Sequence, residues 1–254
     1  MIAFGGRAFL TWVRSTGTLA LVLFRIVQKL PHMERQELAR ALVLFGYRSL
    51  PLCLVVATLT GATVVLQTAL YVQRFGARTH LGWAAGYAVL WEFGPLLLGL
   101  LMAARVGARN AAELALLKVG GQLEGLEGIS LDPFALLVAP RAAAIAVSLA
   151  CLAGLSFAIA IVWEAGAALL TLGIPVRVFV GSFSTMLGTS DFLGGLAKAF
   201  VFGVAIALVS TVVGLSAHGG ARGVGRAAAA SVVYSCAAIF SLDFVLTSLL
   251  ASVL

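Results

Sequence analysis

The chain has 254 residues, of which 61% are hydrophobic and 11% are charged, and its mean hydropathy is +1.08. Because a soluble domain carries roughly a quarter charged residues, this composition excludes a single water-soluble core and predicts an integral membrane protein. The net charge of +7 comes from basic residues beside apolar segments, and no segment resembles a nucleic-acid module, so we expect lipid headgroups and no nucleic acid as partners.

The first 48 residues predict a region that is separate from the membrane-spanning part. On a helix with about 100° per residue, four basic side chains share an arc of about 60°, namely Arg7, Arg14, Arg25 and Lys29. Apolar side chains fill much of the remaining surface. This pattern is typical of a helix that lies in the membrane interface, and a short true span is the alternative. We therefore assign residues 1–48 to an N-terminal interfacial, amphipathic helix region.

Five later segments are apolar and long enough to cross a hydrocarbon core, which needs roughly 20 helical residues. They extend from Arg48 to Arg74, from Arg78 to Arg105, from Ala142 to Trp163, from Lys198 to about Ala217 and from Ala227 to Leu254. We predict an all-α integral membrane fold in which residues 49–254 form about five transmembrane helices.

The distribution of basic residues orients these spans. With the N-terminus in the cytoplasm, thirteen Lys and Arg residues fall on the inner side and four on the outer side, namely Arg74, Arg78, Arg177 and Lys198. By the positive-inside rule, this asymmetry predicts a cytoplasmic N-terminus and a C-terminus on the opposite side. It also places the polar connection between spans two and three in the cytoplasm.

That connection, "AARVGARNAAELALLKVGGQLEGLEG" (Ala103–Gly128), is charged and rich in helix formers. We predict a helix over Ala108–Leu126, weakened by Gly120–Gly121 and ended before Pro133, which removes a donor and disfavours helix in the residue before it. The residues alone leave two interpretations open: a solvated loop, or a docking surface for a soluble partner.

The segment from Glu164 to Asp191 contains several helix breakers, including Gly173, Pro175 and Gly188. We predict an outer loop there that dips into the interface. Glycine pairs with four-residue spacing, such as Gly82 and Gly86, permit close helix approach, but a chain with 28 glycines contains such pairs by chance.

Three ionisable residues lie within or at the edge of spans, where a central charge costs about 2.5–3.5 kcal/mol on insertion scales. Glu92 is either a paired or neutral carboxyl between helices or a polar lining of a pocket. It precedes Pro95, whose missing donor and ring predict a kink near Trp91. Lys198 lies near an outer end, from which it can snorkel to headgroups. Asp243 can pair within the bundle, and we assign it no function.

The remaining chemistry-bearing residues predict no catalysis in this chain. Cys53, Cys151 and Cys236 lie in apolar runs, typical of buried thiols, and the three histidines have no ligand-like neighbours, so we expect no metal site. No phosphate-binding loop of the Gly-x4-Gly-Lys-Ser/Thr type is present in the sequence. The chain is therefore expected to be no enzyme and to hold no cofactor.

Several stretches closely resemble the signature of the MlaE/YrbE permease family. The longest is "WEFGPLLLGLLMAARVGARNAAELALLKVGGQLEGLEGISLDPFALLVAPR" (Trp91–Arg141). Others are "GATVVLQ" (Gly61–Gln67), "DFLGGLAKAFVFG" (Asp191–Gly203) and "HGGARGVGRAA" (His218–Ala228). The resemblance covers roughly residue 45 to the C-terminus, in order and with matching spacing, and identifies 49–254 as an MlaE-type transmembrane domain.

The resemblance implies the membrane subunit of an ABC-type transporter that moves glycerophospholipid between the inner and outer membranes and so maintains outer-membrane lipid asymmetry. It implies a homodimer in the bacterial inner membrane, with the C-terminus in the periplasm. The implied partners are an ABC ATPase subunit that binds ATP and Mg, a periplasmic MCE-domain protein and a small cytoplasmic accessory subunit.

The resemblance also implies roles for particular residues. The substrate site would contain Glu92 and Lys198, the latter as a phosphate contact, with an acyl-chain wall from Leu66, Leu70 and Tyr71. The polar connection would be the coupling helix that engages the ATPase, through Arg105, Arg109, Glu113, Lys118, Gln122, Glu124 and Glu127.

This chain departs from the family pattern within the coupling segment. The family's Glu-Gln is Gly121-Gln122 here, its Gly-Thr-Met is Ala115–Leu117, and its Asp-Ala-Leu-Arg is Glu124–Glu127. One acid is lost and one base becomes an acid, which predicts an ATPase groove with compensating changes.

Two other functions compete with the transporter: an autonomous secondary transporter, for which no inverted repeat is visible, and a non-transporting scaffold of an envelope complex.

Overall fold

The computed structural model describes residues 17–76 and 80–251, and within these ranges the secondary structure is helical with no strand. Predictions that fall on Arg7, Arg14, Arg78 and the last three residues lie outside the described residues. The α-helices are α1 (17–29), α2 (Arg35–Phe45), α3 (Leu50–Arg74), α4 (Leu81–Ala88), α5 (Gly94–Met102), α6 (Ala108–Val119), α7 (Gln122–Gly128), α8 (Ala139–Leu172), α9 (Val176–Met186), α10 (Thr189–Leu215) and α11 (Gly220–Ala251).

Five helical stretches among the described residues are long and apolar enough to cross a membrane, which confirms the predicted all-α membrane fold. They are Arg35–Val72, Leu81–Val119, Phe134–Leu172, Thr189–Leu215 and Gly220–Leu249. All five are longer than the sequence predicts, because hydropathy marks where a helix is apolar and not where its hydrogen bonding ends.

Three π-helical segments interrupt these stretches: Val89–Phe93, Ala103–Gly107 and Phe134–Val138. The first lies just before Pro95, where the sequence predicts a kink. Proline supplies no N–H to the carbonyl four residues earlier, and a single π turn is a common way for a helix to absorb such a disruption. The carbonyl of Trp91 is therefore available to a partner outside the helix.

The chain folds into two compact units, each assembled from three separate stretches of sequence. The first unit contains Met1–Phe45, Ala103–Ile145 and Val204–Ala238, and the second contains Gly46–Met102, Ala146–Gly203 and Ile239–Leu254. The long helices α8, α10 and α11 therefore each contribute one part to the first unit and another part to the second.

In the second unit, α4 packs closely against α9. A Cβ at Gly82 would lie 2.1 Å from the carbonyl oxygen of Phe179, so the small residue permits this contact. The backbone N–H of Trp83 donates to the Ser182 hydroxyl at 3.1 Å, which satisfies a free donor in the first turn of α4. The four-residue spacing of Gly82 and Gly86 could arise by chance in the sequence. In the structure, Gly82 does mark a helix–helix contact.

The predicted outer loop is wrong over most of its length, because α8 continues to Leu172, α9 spans Val176–Met186 and α10 begins at Thr189. Glu164 is consequently fully buried on α8, and neither carboxylate oxygen has a hydrogen-bond partner among the described residues. The breakers act at Gly173, which adopts a φ of +64°, at Pro175, where the chain turns into α9, and at Gly188, between α9 and α10.

In the first unit, α6 packs against α10. Asn110 is buried and donates to Ser210 at 2.8 Å, and a Cβ at Gly214 would lie 2.9 Å from the carbonyl oxygen of Ala111. The predicted helix Ala108–Leu126 is interrupted at Gly121, whose φ of +69° is a left-handed conformation that ends α6 and precedes α7.

Helix α1 is attached to the start of the third span within the same unit. The Lys29 ammonium lies 2.7 Å from the Asp132 carboxylate, and the Arg25 guanidinium lies 5.4 Å from the centre of the Phe134 ring. Asp132 also accepts the Phe134 N–H at 2.9 Å and so caps this span, as expected of Asp before Pro at a helix start.

Candidate functional site: a buried lysine–carboxylate cluster

The second unit encloses a charged cluster that is centred on Lys198 of α10. Gly194 and Gly195, about one turn before Lys198, let α10 pack closely against the first π segment. A Cβ at Gly195 would lie 2.3 Å from the carbonyl oxygen of Leu90, and one at Gly194 would lie 3.0 Å from the Trp91 ring. The Gly-Gly pair of "DFLGGLAKAFVFG" therefore positions Lys198 against the segment that carries Glu92.

The Lys198 ammonium contacts four oxygen atoms. It donates to the carbonyl oxygen of Trp91 at 2.7 Å and to the Thr247 hydroxyl at 2.8 Å. Its Nζ lies 2.8 Å from a carboxylate oxygen of Asp243 and 3.4 Å from one of Glu92. An ammonium has three donors, and here the hydrogen bonds go to the Trp91 carbonyl, Thr247 and Glu92. The contact with Asp243 is an ion pair without hydrogen-bond geometry.

The carboxylates of the cluster differ in accessibility. The Lys198 side chain is 1% exposed and that of Asp243 14%, whereas that of Glu92 is 38% exposed. The Thr247 hydroxyl donates to Glu92 at 3.0 Å, so the two acids are joined through the same threonine and lysine. Glu92 is therefore the member of the cluster that a ligand can reach from outside the chain.

This geometry refines the interpretation of Lys198. Its ammonium lies inside the chain and not along its surface, so it does not snorkel to headgroups in this conformation. With one cation between two carboxylates, the cluster carries excess acid when both carboxyls are ionised. A phosphate contact by Lys198, as the resemblance implies, would require the Trp91 carbonyl, Thr247 or Glu92 to release a donor.

Another hydrogen bond holds the first π segment, which carries Glu92, against the start of α10. The Trp91 indole donates to Asp191 at 3.0 Å, and Asp191 accepts the Gly188 N–H at 2.8 Å. The rings of Tyr87 and Trp91 are 5.9 Å apart. Asp191 thus links the start of α10 to the residue immediately before Glu92.

The predicted acyl-chain wall lies on an open face of α3. Leu66, Leu70 and Tyr71 are 40%, 65% and 65% exposed, as expected of residues that face lipid or another protein. A cavity beside the first π segment, lined in part by Cys53, Thr60 and Ser156, has a volume of about 20 Å³. Such a volume holds about one water molecule, so no acyl chain fits there.

The residues assigned to ATPase coupling form two ion-pair groups in the first unit. Glu113 lies 2.8 Å from Arg109 and 3.0 Å from Arg141, which links α6 to α8. Lys118 pairs with Glu124 across the Gly120–Gly121 break, and this hydrogen bond holds the pKa of the Glu124 carboxyl below its usual range.

The other predicted coupling residues are exposed polar groups. Gln122 and Glu127 are exposed on α7, and Arg105 is exposed on the second π segment. The predicted set therefore extends from the end of the second span, through α6, to α7. It does not lie on one separate helix, because α6 continues the second span.

The sequence predicts that Asp243 can pair within the bundle, and its contact with Lys198 bears this out. Sequence reasoning missed Lys198 as the partner, together with Thr247 and the Trp91 carbonyl. The signal for Asp243 is present, because an ionisable residue inside a span is a functional-site hypothesis by default and requires a partner. The Trp91 carbonyl follows from Pro95, since it is the carbonyl that this proline cannot bond. Thr247 carries no such signal in its local sequence.

These features define the class of the protein: a multi-pass helical membrane protein with a buried charge cluster in its spans. Residues 38–249 match the family described as Permease MlaE, and the chain belongs to this family.

Proteins from bacteria and a plant are similar over most of the chain. A probable ABC transporter permease protein of Rickettsia typhi is 32% identical, over 98% of this chain and 96% of that protein. The intermembrane phospholipid transport system permease protein MlaE of Haemophilus influenzae is 30% identical, over 96% and 95%. The chloroplastic protein TRIGALACTOSYLDIACYLGLYCEROL 1 of Arabidopsis thaliana is 30% identical, over 89% of this chain and 64% of that protein.

Proposed function

We propose that this chain is the permease subunit of an ATP-driven transporter that moves glycerophospholipid between the inner and outer membranes. The observation that carries the proposal is the Lys198–Asp243–Glu92 cluster within the spans of an MlaE-family chain. Buried charges in a membrane are costly and mark substrate or ion paths. The name of the Haemophilus influenzae relative supports phospholipid as the substrate.

In this proposal, the cluster recognises the polar headgroup. Glu92 is accessible and carries the acid that meets an ammonium or hydroxyl of the headgroup. Lys198 supplies a cation for the phosphate once one of its contacts is released. The exposed apolar face of α3, with Leu66, Leu70 and Tyr71, provides the surface along which acyl chains lie.

The energy would come from a separate ABC ATPase that binds ATP and Mg, since the sequence contains no phosphate-binding loop of its own. The ATPase would engage α7 and the end of α6, where Lys118, Glu124 and Glu127 are accessible. Closure of two ATPases would move both coupling segments and compress a pocket between two permease copies. Among the five described spans, Gly220–Leu249 is the least buried, which leaves an apolar face for the second copy.

The proposed topology has the N-terminus in the cytoplasm and the C-terminus in the periplasm of the bacterial inner membrane. This orientation places the coupling segment beside the ATPase and leaves the outer side for an MCE-domain protein. A small accessory subunit would sit on the cytoplasmic ATPase. The chain itself would hold no cofactor.

A purification experiment tests the proposal. The chain is expressed with its neighbouring gene products, isolated through a tag on this chain, and its bound lipid is identified by mass spectrometry before and after ATP addition. We expect an ATPase to be recovered and bound glycerophospholipid to fall when ATP is added. Recovery of no nucleotide-hydrolysing subunit, or of a complex without phospholipid, would count against it.

A further inference from the structure

We propose that a groove at the turn between α10 and α11 binds the phosphodiester headgroup of an anionic glycerophospholipid from the leaflet that this turn faces. The site is distinct from the Lys198 cluster and does not depend on the proposed transport. Its residues all belong to the first unit.

Glycines build the groove. A Cβ at Gly223 would lie 2.1 Å from the carbonyl oxygen of His218, so only glycine lets the turn fold against the first turn of α11. Gly219 adopts a φ of +88°, and a Cβ there would lie 3.3 Å from Nη2 of Arg226. The "HGGARGVGR" stretch thus places an arginine guanidinium directly over the backbone of the turn.

The polar end of the groove carries cationic and donor groups without a protein counter-charge. Arg226 lines the groove, and Arg222 precedes it by four residues, a spacing that puts both on one face of α11. Both are exposed, and neither forms an ion pair with an acid in the described part of the chain. His218 Nδ1 donates to the carbonyl oxygen of Ser216 at 3.0 Å, which holds the imidazole ring beside the turn.

The other end of the groove is apolar and runs along the two spans. Val212 and Val213 of α10 face Ala227 and Ala230 of α11 along it, and Tyr234 ends it. Tyr234 lies eight residues beyond Arg226, or about 12 Å along the helix at 1.5 Å per residue. Since the turn separates the spans that end at Leu215 and begin at Gly220, the polar end is at headgroup depth and the apolar wall at acyl-chain depth.

The size and chemistry of the groove favour a lipid over a soluble anion. Its volume is about 450 Å³, within the range of roughly 300–1,000 Å³ that is usual for small-molecule sites. Free phosphate would use the polar end only. A phosphodiester with attached acyl chains would meet both ends, and basic pockets between transmembrane helices are a known mode of anionic headgroup recognition.

Lipid titration by native mass spectrometry tests the proposal on the full-length protein, or on its complex where partners co-purify. Phosphatidylglycerol is added to wild type, Arg226→Gln, Ala230→Phe and the control Arg35→Gln, which removes an exposed charge elsewhere in the same unit. We expect one phosphatidylglycerol per chain to bind about tenfold more weakly to Arg226→Gln, the effect of losing one charge-assisted hydrogen bond. Ala230→Phe should weaken it similarly by filling the apolar end.

Each other outcome overturns the proposal. Equal binding by all four proteins would mean that the lipid binds elsewhere on the protein and not in the groove. An equal loss in Arg35→Gln would mean that only overall charge matters. If millimolar inorganic phosphate displaced the lipid while Ala230→Phe had no effect, the groove would be a soluble-anion site and not a lipid site.

Discussion

Replacement of Lys198 by methionine gives a quantitative test of the charge cluster. Methionine preserves most of the side-chain length but removes the ammonium that lies 2.8 Å from Asp243 and 2.7 Å from the Trp91 carbonyl. Breaking a buried pair by removing one partner costs about 3–5 kcal/mol, because the other charge is left uncompensated. For a chain of this length, that loss corresponds to a fall in the melting temperature on the order of 10 °C.

The double variant Lys198→Met/Asp243→Asn isolates the cause of this loss. It removes both charges and keeps the shape of the cluster, and replacing a whole buried pair by neutral groups is often nearly neutral for stability. We expect the double variant to melt well above Lys198→Met and close to wild type. Thermal unfolding of all three proteins in the same detergent, followed by tryptophan fluorescence, measures the difference.

Lys118→Met is the matched control, because it removes a lysine from an exposed ion pair with Glu124. Its melting temperature should stay within the scatter of wild type. The reasoning would be refuted if Lys198→Met and the double variant melted together well below wild type, since that would show that Lys198 acts through its packing and not by compensating Asp243.

Three further predictions concern the contacts that position the site and its connections. Gly195→Ala should lower stability by about 1–3 kcal/mol through overpacking, because its Cβ would lie 2.3 Å from a carbonyl oxygen; thermal unfolding measures this. Glu127→Arg should reduce recovery of the ATPase in a tag-based purification several-fold, since it reverses an exposed charge on α7. The Lys29 ammonium donates a hydrogen bond to Asp132 and holds the pKa of that carboxyl below its usual range. The lowered pKa stabilises the fold above the unfolded pKa of about 3.9, so the melting difference between wild type and Lys29→Met should shrink as the pH falls from neutral towards the lowered pKa.

Matched variants give each of these predictions a control. Gly166→Ala adds a Cβ to a helical glycine with nothing within 4 Å, so it should not destabilise; a loss equal to that of Gly195→Ala would remove the packing argument. Glu34→Arg makes the same charge reversal as the α7 variant at an exposed position on another segment, and equal ATPase loss there would contradict a specific contact. A pH-independent effect of Lys29→Met would show that its interaction with Asp132 is not the cause.

The sequence predicts the spans well, because length and hydropathy alone determine whether a helix can cross a bilayer. It predicts their ends poorly. Ala108 to Val119 is polar enough to read as a separate cytoplasmic helix, yet backbone hydrogen bonding continues unbroken from the second span, and only the left-handed Gly121 ends it. The charge of Glu164 favours a loop, although α8 carries this residue into the interior.

The sequence predicts only part of the candidate site, because it does not show which helices pack together. Glu92 and Lys198 stand out as charges in apolar segments, whereas their partners depend on which helices meet. Asp243 contacts Lys198 from a position 45 residues away in the sequence, and no local pattern encodes that pairing. The exposed stripe of Leu66 and Leu70 on α3 stays a prediction for acyl-chain contact.

Lipid transfer by the reconstituted complex tests the central claim most directly. Vesicles that contain the complex and a labelled glycerophospholipid are mixed with acceptor vesicles, and transfer is followed with ATP and without it, for wild type and Glu92→Gln. The account predicts ATP-dependent transfer by wild type, and a large loss of transfer in Glu92→Gln while its ATPase subunit still hydrolyses ATP. ATP hydrolysis without any lipid movement in wild type, or full transfer by Glu92→Gln, would contradict it.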